Sequence, residues 1–358
     1  MRFIHSYSKS YAHRFVIIAW LLKKDLTIKN FSKSEDASLT LNALYNNYKW
    51  DGDDLILNSK DIIVRKEIYI GESGSTLRFL IPLMLDGSKH IFKGKGRIFS
   101  RPLDEYRRII EDENGLFDLK EDRLVVKGSL GKKSYEVSGI KSSQFISAMM
   151  MAGINRFDVV AKIGGSSQYI DITRDAIDMV SNNNIVVVPE DMSNFSLFAA
   201  LERADKLEGS LPEVEARMQR DGIFLDYIDH LKPIYDLREN IDLAPMLVAY
   251  LSTVDGHFII KGIKNLAYKE SNRLREIIRM LEIFGKEAKI EEDRIIINGS
   301  SARVNINKKI KIKVDDHRIC HMAIFLAEAL EIDIKIDGIE SLKKSHEPLY
   351  QYVRTRYV

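Results

Sequence analysis

The chain has 358 residues, which is long enough for two domains of ordinary size. Its 54 Lys and Arg nearly balance 52 Asp and Glu, and the net charge of +2 excludes a broad nucleic-acid-binding surface, so an anion site must come from locally placed cations. The single cysteine, Cys320, excludes an intramolecular disulfide and is typical of a reducing compartment.

Six times along the chain, a short polar segment runs directly into an apolar stretch of helical length. The polar segments are Ser8-Lys9-Ser10, Ser73-Gly74-Ser75-Thr76, Ser142-Ser143-Gln144, Asp191-Met192-Ser193-Asn194, Asn240-Ile241-Asp242 and Asp315-Asp316-His317. Each predicts a capped helix N-terminus, and helix N-termini favour anions. Basic residues lie at or near several of them, namely Lys9, Arg14, Arg78, Lys141 and Arg318. If these helix ends converge, they enclose a pocket for a substrate with several negative charges.

Short alternating or β-branched runs between the helices predict strands. They are residues 61–66, 123–127, 157–163, 184–188, 257–260, 294–297 and 332–336. Because strands alternate with helices throughout, the predicted class is mixed α and β. Three helix openings precede Val188-Pro189-Glu190 and three follow it, so we predict a domain crossover near residue 190.

The apolar run Phe15 to Leu22 superficially resembles the core of a signal peptide. It is too short to cross a membrane, and Lys23-Lys24 follows it without a small-residue cleavage pattern. We therefore expect a buried first helix, a cytoplasmic location and no membrane partner.

The most specific local cluster is Lys269-Glu270-Ser271-Asn272-Arg273. We predict that Ser271 caps the helix that follows, and that Lys269 and Arg273, four residues apart, share a face at its mouth. Glu270 beside two cations is a candidate for proton transfer. The alternative is a charged, solvent-facing helix start.

Other polar motifs are candidates for binding anions or hydroxyl groups. The segment 71–78 offers amides and hydroxyls with Arg78, and the segment 94–102 is basic, but neither matches a P-loop or a dinucleotide fingerprint. The groups in 142–144 and 166–169 suit sugar-like hydroxyls or phosphate oxygens, although helix caps and turns also explain them. Asp242, at a helix entrance, is either an N-cap or a buried functional carboxylate.

The segment Asp316 to His321 could imitate a metal site, because His317, Cys320 and His321 share a helical face. No second Cys or His cluster completes the set, so we expect no metal. The favoured interpretation is that Arg318 is held by the neighbouring Asp316 and His317 and binds a carboxylate or phosphate.

Taken in chain order, these motifs resemble the enolpyruvyl transferases, specifically the EPSP synthase (3-phosphoshikimate 1-carboxyvinyltransferase) family. The matching positions are Lys9-Ser10 with Arg14, Gly71 to Arg78, Arg97 with Arg101-Pro102, Ser142-Ser143-Gln144, Ser166 with Tyr169 to Ile172, Asp242, Lys269-Glu270 with Arg273, Asp316-His317-Arg318, and Lys344-Ser345. The resemblance implies an α/β (α+β) fold with two pseudo-symmetric lobes, each of three βαβαββ-type repeats with the helices inside, an inside-out α/β barrel. It implies an N-terminal lobe of residues 8–190, a C-terminal lobe of 191–358 plus 1–7, and an active site in the interdomain cleft.

The resemblance also implies transfer of the enolpyruvyl group of phosphoenolpyruvate to the 5-hydroxyl of shikimate-3-phosphate, with release of phosphate and without a metal or cofactor. This reaction belongs to chorismate and aromatic amino acid biosynthesis. The implied shikimate-3-phosphate ligands, mainly in the N-terminal lobe, are Lys9, Ser10, Arg14, Ser142, Ser143, Gln144, Ser166, Tyr169, Asp242, Asn265 and Lys269. The implied phosphoenolpyruvate ligands are Lys9, Gly74, Arg97, Gln144, Arg273, Arg318 and Lys344. Asp242 is the candidate base and Glu270 the candidate acid, and Lys9 completes the catalytic set.

Two departures from the family pattern bear on this reading. Glu72 stands where Asn is common and adds a negative charge near the implied phosphoenolpyruvate site, and Asn272 replaces the usual Asp. The enzyme that transfers enolpyruvate to UDP-N-acetylglucosamine is a rival, but it typically has Lys-Asn at the first motif and a cysteine in a mobile loop. A non-catalytic anion-binding paralogue is the other alternative. We expect a monomer.

Overall fold

The computed structural model describes residues 1–164, 167–214, 219–302, 304 and 309–357. It divides into two compact units, which we call the N-terminal unit (Tyr7–Pro189) and the C-terminal unit (Met1–Ser6 with Glu190–Val358). Both units combine helices and sheets, which confirms the predicted mixed class. Among the residues described, no helix combines the length and the apolar character needed to span a lipid bilayer.

The N-terminal unit contains six helices and ten strands among its described residues. The helices are α1 (Lys9–Leu22), α2 (Glu35–Leu44), α3 (Gly74–Leu83), α4 (Asp104–Glu111), α5 (Gln144–Ala152) and α6 (Gln168–Asn182). The strands are β1 (Leu26–Lys29), β2 (Lys49–Asp51), β3 (Asp54–Leu57), β4 (Glu67–Gly71), β5 (Asp86–Gly94), β6 (Leu116–Leu119), β7 (Arg123–Ser129), β8 (Ser134–Ser138), β9 (Asp158–Lys162) and β10 (Ile185–Val187). They form sheets in the orders β10-β1-β3-β2, β4-β5-β7-β6 and β8-β9. Each sheet contains one parallel pair, namely β1/β10, β4/β5 or β8/β9.

The C-terminal unit is built from the same kinds of element. Its helices are α7 (Met192–Arg203), α8 (Phe224–Asp229), α9 (Ala244–Ser252), α10 (Arg273–Ile283), α11 (His317–Leu330) and α12 (Glu347–Val353). Its strands are β11 (Ile234–Asp236), β12 (Gly256–Lys261), β13 (Glu287–Glu291), β14 (Arg294–Gly299), β15 (Ile310–Lys313) and β16 (Ile334–Asp337). Described residues of this unit form a sheet in the order β11-β12-β14-β13, which repeats the β4-β5-β7-β6 pattern, and the parallel pair β15/β16, which repeats β8/β9.

The core of each unit is occupied by helices that are buried along most of their length. In the N-terminal unit these are α1, α3 and α5, and in the C-terminal unit α7, α9 and α11. A helix that is apolar on all sides can be stable only when it is surrounded by other elements. The two sets of core residues form separate hydrophobic clusters, one in each unit.

These buried helices begin at the polar segments that the sequence singled out, so all six predicted helix openings are confirmed. The side chains of Ser73, Asp191 and Asp316 accept the expected cap hydrogen bonds from backbone amides of α3, α7 and α11. At Ser8, Ser143 and Asn240 the side chain makes no cap hydrogen bond to the following helix. The polar segments therefore mark helix starts even where they do not cap them.

The predicted strand at 61–66 is wrong, whereas the other six predicted strands are confirmed within two residues at each end. Ile62 makes only an isolated bridge with Tyr45, and the neighbouring strand is β4, which begins at Glu67. β4 pairs in parallel with β5. The β-branched run 61–66 does not form a strand, because strand formation depends on a pairing partner more than on local propensity.

Candidate functional site

In the N-terminal unit, the first helix opening places Lys9 at the start of α1. Its Nζ atom lies 2.8 Å from Oδ2 of Asp36, in the first turn of α2. Both side chains are largely buried, with 16% and 8% of their surfaces exposed. The backbone oxygen of Asp36 accepts a hydrogen bond from Thr76, in the first turn of α3. Lys9 is thereby connected through Asp36 to the helix opening that contains Gly74.

Arg14, one turn further along α1, joins three helices. Its Nη1 donates to the Ser10 backbone oxygen, its Nε to Thr173 of α6, and its Nη2 to Ser147 of α5 and to the Tyr169 backbone oxygen, at 2.8 to 3.1 Å. Burial lowers the pKa of Arg14 to about 10, which leaves the guanidinium charged at neutral pH. The structure thus brings the predicted ligands Ser10, Arg14 and Tyr169 together around one buried cation.

Gln144 connects the start of α5 to the start of α3. Its Oε1 accepts a hydrogen bond of 2.8 Å from Arg78, and its Nε2 donates to Ser75 at 2.9 Å. Arg78 also donates to the Pro102 backbone oxygen. Burial, together with the nearby Arg101, lowers the pKa of Arg78 to about 9. Arg78 is a buried cation at this junction that the predicted ligand set did not include.

The loop that carries Arg97 and Arg101 packs against the residues that precede α3. The Arg101 guanidinium lies directly over Gly74, so a methyl group on Gly74 would overlap with it. The Glu72 carboxylate is packed in the same way against Gly96, which has a left-handed backbone (φ +62). Arg97 itself is exposed. The Arg101 cation therefore lies at Gly74, while the unexpected carboxylate of Glu72 lies against Gly96 of the Arg97 loop.

The remaining predicted residues of this unit have simpler environments. Ser142 and Ser143 precede α5 as predicted, and Ser142 accepts a weak hydrogen bond of 3.4 Å from the Gln144 amide. Ser166 lies outside the described residues. Asp36, Ser147 and Thr173 were not predicted, since they lie 27 to 159 residues from the cations that they contact.

In the C-terminal unit, Asp242 lies between two cations. Its carboxylate is 2.6 Å from Nη1 of Arg273 and 3.2 Å from Nζ of Lys269. Asp242 belongs to a 3-10 turn that leads into α9, and Arg273 is the first residue of α10. The predicted proximity of Lys269 and Arg273 is therefore realised through a shared carboxylate, of which 13% is exposed.

Asp316 holds the other edge of Arg273. Its Oδ2 accepts from Arg273 Nε at 2.7 Å and from the Ser271 hydroxyl at 3.1 Å, while its Oδ1 caps α11 through the Arg318 amide. Burial opposes the charge on Arg273, but the carboxylates of Asp316, Asp242 and Glu270 outweigh it and raise the pKa of Arg273. This geometry makes Arg273 a permanently charged and doubly oriented cation.

Two predictions about this cluster are corrected. The cap of α10 is Asn272, whose side chain accepts from the Arg275 amide, and Ser271 turns instead towards Asp316. The Arg318 side chain contacts Asn194, at 3.1 Å from Nη1 to Oδ1, and its predicted holders Asp316 and His317 contact Arg273 and Glu270 instead. Both errors arise because a short polar side chain next to a helix start has several backbone and side-chain partners within reach.

Glu270 is paired with His317 at the opening of α11. Its Oε2 lies 3.0 Å from Nδ1 of His317. Burial raises the pKa of Glu270, but His317, Arg273 and Lys344 outweigh it and hold this pKa well below its usual range. Glu270 is therefore ionised at neutral pH. Because a carboxylate only accepts hydrogen bonds, Nδ1 of His317 carries the proton of this pair.

Among the described residues, Glu270, Asp316 and His317 are the one group spaced as metal ligands, with candidate atoms within 4.8 Å of one another. The Oδ2 atom of Asp316 already accepts from Arg273, and Oε2 of Glu270 from His317. The adjacent cations favour an ion-pair network at this position over a site for a divalent cation.

The last predicted residues of this unit border the cluster. Lys344 Nζ lies 3.5 Å from the Asp315 backbone oxygen, and its charge acts on Glu270. Asn265 lies in the 3-10 turn Lys264–Tyr268, immediately before Lys269. The C-terminal unit therefore concentrates four cations, three carboxylates and one histidine at three helix openings. The cations are Lys269, Arg273, Arg318 and Lys344, and the carboxylates are Asp242, Glu270 and Asp316.

Comparison with solved structures identifies the fold as that of the enolpyruvyl transferases. EPSP synthase from Acinetobacter baumannii superposes with a TM-score of 0.70 at 18% identity, over 100% of this chain and 95% of that one. The enolpyruvyl transferase NikO from Streptomyces tendae superposes with a TM-score of 0.65 at 10% identity, over 98% and 93%. At these identities the likeness defines the fold alone.

Sequence comparison defines the family. The model of EPSP synthase (3-phosphoshikimate 1-carboxyvinyltransferase) matches residues 4–191 and 209–352, and the chain belongs to this family. A 3-phosphoshikimate 1-carboxyvinyltransferase from Brachyspira hyodysenteriae is 28% identical over 94% of this chain and 92% of its own length. The one from Clostridium acetobutylicum is 27% identical over 95% and 91%. The resemblance inferred from the ordered motifs is confirmed.

Proposed function

We propose that this protein transfers the enolpyruvyl group of phosphoenolpyruvate to the 5-hydroxyl of shikimate-3-phosphate and releases inorganic phosphate. The family match over nearly the whole chain supports this reaction. The observation that carries the proposal is the cluster in which Asp242, Glu270 and Arg273 meet at the openings of α9, α10 and α11. It supplies a base, a proton-transfer pair and fixed cations for a reaction between two anions.

We assign the two substrates to two sets of residues that serve one reaction. Arg14, Ser10 and Tyr169 are joined by hydrogen bonds, and with the 142–144 segment they are assigned to shikimate-3-phosphate. Ser166, Asn265 and Lys269 complete that set. Lys9, Gly74, Arg97 and Gln144 from the N-terminal unit, with Arg273, Arg318 and Lys344 from the C-terminal unit, are assigned to phosphoenolpyruvate. The substrates together carry two phosphates and two carboxylates, and these anionic groups account for the many Lys and Arg side chains in the two sets.

Addition starts with removal of the proton from the 5-hydroxyl. Asp242 is assigned as the base, since its carboxylate, 13% exposed, is the more accessible of the two that contact Arg273, the other being Asp316 at 1%. The hydroxyl oxygen then bonds to C2 of phosphoenolpyruvate while its C3 methylene takes up a proton. The product is a tetrahedral intermediate that still carries the phosphate.

Glu270 is assigned to the proton transfer at C3, but its lowered pKa leaves it without a proton at neutral pH. We therefore assign this step to the Glu270–His317 pair, in which His317 Nδ1 supplies the proton that Glu270 passes on. Elimination reverses the direction: the Glu270–His317 pair takes a proton back from C3, the bond from C2 to the phosphate oxygen breaks with its electron pair leaving on phosphate, and the C2–C3 double bond returns. Lys9, Arg273 and Arg318 stabilise the charge on the departing phosphate.

Phosphate release tests the reaction. Purified protein is mixed with phosphoenolpyruvate and either shikimate-3-phosphate or UDP-N-acetylglucosamine, and inorganic phosphate is measured. We expect release only with shikimate-3-phosphate. Release only with UDP-N-acetylglucosamine, or with neither acceptor, would contradict the proposal.

Two matched substitutions test the assigned proton transfer. Glu270→Gln removes the titrating group and is expected to lower kcat by about 100-fold or more. Glu276→Gln makes the same change on α10 at a residue that pairs with Arg279, and is expected to keep kcat within about twofold. Equal kcat values for the two variants would remove Glu270 from its assigned role. The cytoplasmic location and the monomeric state remain predictions.

A further inference from the structure

Asn194 is a fully buried amide in the first turn of α7, with no exposed surface. Its Nδ2 donates to the Ser6 hydroxyl at 2.8 Å and to the Ser345 backbone oxygen at 3.2 Å. Its Oδ1 accepts from Nη1 of Arg318 at 3.1 Å. One side chain thus connects the N-terminal segment, the start of α11 and the residue that follows Lys344.

The chemistry of the partners fixes the orientation of this amide. A guanidinium can only donate, so Oδ1 must face Arg318, and a backbone carbonyl can only accept, so Nδ2 must face Ser345. Both amide hydrogens are used, and burial prevents water from replacing either partner. Asn194 therefore has one arrangement that satisfies its polar atoms.

The N-terminal segment that Asn194 contacts through Ser6 is fixed by further hydrogen bonds. The Ser6 amide donates to the Glu190 carboxylate at 2.5 Å, and the Ser6 carbonyl accepts from the Asp191 amide at 2.6 Å. The backbone N–H of Asn194 in turn donates to the Asp191 side chain at 3.0 Å. Because backbone and side chain are both anchored, Asn194 can act as a rigid support for the guanidinium that it contacts.

We propose that Asn194 is a positioning residue for the binding of phosphoenolpyruvate. Its side chain holds the Arg318 guanidinium and the segment that carries Lys344 in place. This inference rests on the proposed function, in which both cations bind that substrate. Asn194 supports Arg318 through a neutral oxygen and so leaves its positive charge available for an anion. Aspartate would neutralise that charge and repel the Ser345 carbonyl, and alanine would leave both partners unsupported.

Kinetics of Asn194→Ala test the proposal, with Tyr235→Phe as the matched control. Tyr235 is also buried in the C-terminal unit, and the control removes its hydrogen bonds with Tyr227 and Lys232. We expect Asn194→Ala to raise the KM for phosphoenolpyruvate about tenfold, as for one lost hydrogen bond to a charged group. The KM for shikimate-3-phosphate is expected to change less than about twofold. Equal changes in both KM values, or the same changes in Tyr235→Phe, would overturn the proposal.

A double-mutant cycle with Arg318→Gln separates positioning from general stability. If Asn194 acts chiefly through Arg318, the double variant is expected to raise the phosphoenolpyruvate KM by much less than the product of the two single effects. Multiplication of the two single effects would overturn the proposed route.

Binding of phosphoenolpyruvate, measured by titration calorimetry on the same variants, keeps the two proposals distinguishable. A wild-type protein that binds this ligand without releasing phosphate contradicts the proposed function, while a weaker affinity of Asn194→Ala still supports the positioning role. If the wild-type protein neither releases phosphate nor binds the ligand, both proposals fail.

Discussion

His346, which precedes α12, is expected to make the protein less stable in mild acid. Its ring is 1% exposed and packs edge-on against Phe198 and His321, with centroids 5.9 and 5.8 Å away. Burial lowers the pKa of His346 to about 3, although the backbone of Ile4 and His5 opposes the shift. The folded protein therefore excludes a proton that the unfolded chain binds below a pKa of about 6.5.

The magnitude follows from the gap between these two pKa values. At pH 8 neither state binds the proton, so His346 contributes no pH dependence. At about pH 5 the unfolded chain is protonated and the folded one is not, and the gap of about 1.5 units to 6.5 corresponds to about 2 kcal/mol. His346→Phe removes the titrating group and keeps an aromatic ring. From pH 8 to pH 5, the unfolding free energy of this variant is therefore expected to fall by about 2 kcal/mol less than that of the wild-type protein.

Urea unfolding followed by far-UV circular dichroism, at both pH values, measures this difference. Fluorescence is less suitable because both tryptophans, Trp20 and Trp50, lie in the N-terminal unit. Since Phe is larger than His, the comparison is between pH values within each protein. Leu349→Val changes packing in α12 without removing an ionisable group, and is expected to lower stability equally at both. The same pH dependence in His346→Phe and wild type would refute the reasoning.

Three further substitutions probe single contacts at the candidate site. Asp316→Asn removes the carboxylate that orients Arg273 and is expected to raise the phosphoenolpyruvate KM about tenfold in steady-state kinetics, and an unchanged KM would contradict this role. Glu72→Gln removes a negative charge whose repulsion of the phosphoenolpyruvate anion is on the order of 1 kcal/mol. It is expected to lower the KM for phosphoenolpyruvate several-fold, and more strongly at low ionic strength. An increase in this KM would count against the placement of that anion. Thr173→Val leaves Nε of buried Arg14 without its acceptor and is expected to lower the unfolding free energy by about 1.5–3 kcal/mol in urea titrations, whereas a neutral effect would show that the site relaxes.

The buried helices were predictable because their signal is local. A polar segment followed by an apolar run, as in Asp191–Leu201, specifies a helix start within a few residues of sequence. Strand β4 was missed for the opposite reason. Its partner β5 begins 15 residues after it ends, and residues 61–66 carried the stronger β-branched pattern without a neighbouring strand to pair with.

The same distinction separates the site residues that the sequence indicated from those that it did not. Lys269, Glu270 and Arg273 lie within five residues, so their proximity was visible from spacing. Asn194 contacts Arg318 across 124 residues, and Asp36 contacts Lys9 across 27. The sequence around Asn194 and Asp36 does not indicate which distant residue each contacts, so only the folded chain reveals these two pairs.

The charges of the C-terminal unit are arranged so that its cations differ in how far they are neutralised before a substrate binds. Arg273 is held by two carboxylates, of which Asp316 is 1% exposed and Asp242 13%. The buried Asp316 orients Arg273, whereas the proposed function requires the more accessible Asp242 to exchange this cation for a substrate hydroxyl. Arg318, by contrast, is supported by the neutral oxygen of Asn194 and keeps its full charge. An incoming anion therefore gains more from Arg318 than from Arg273, whose attraction is already shared with protein carboxylates.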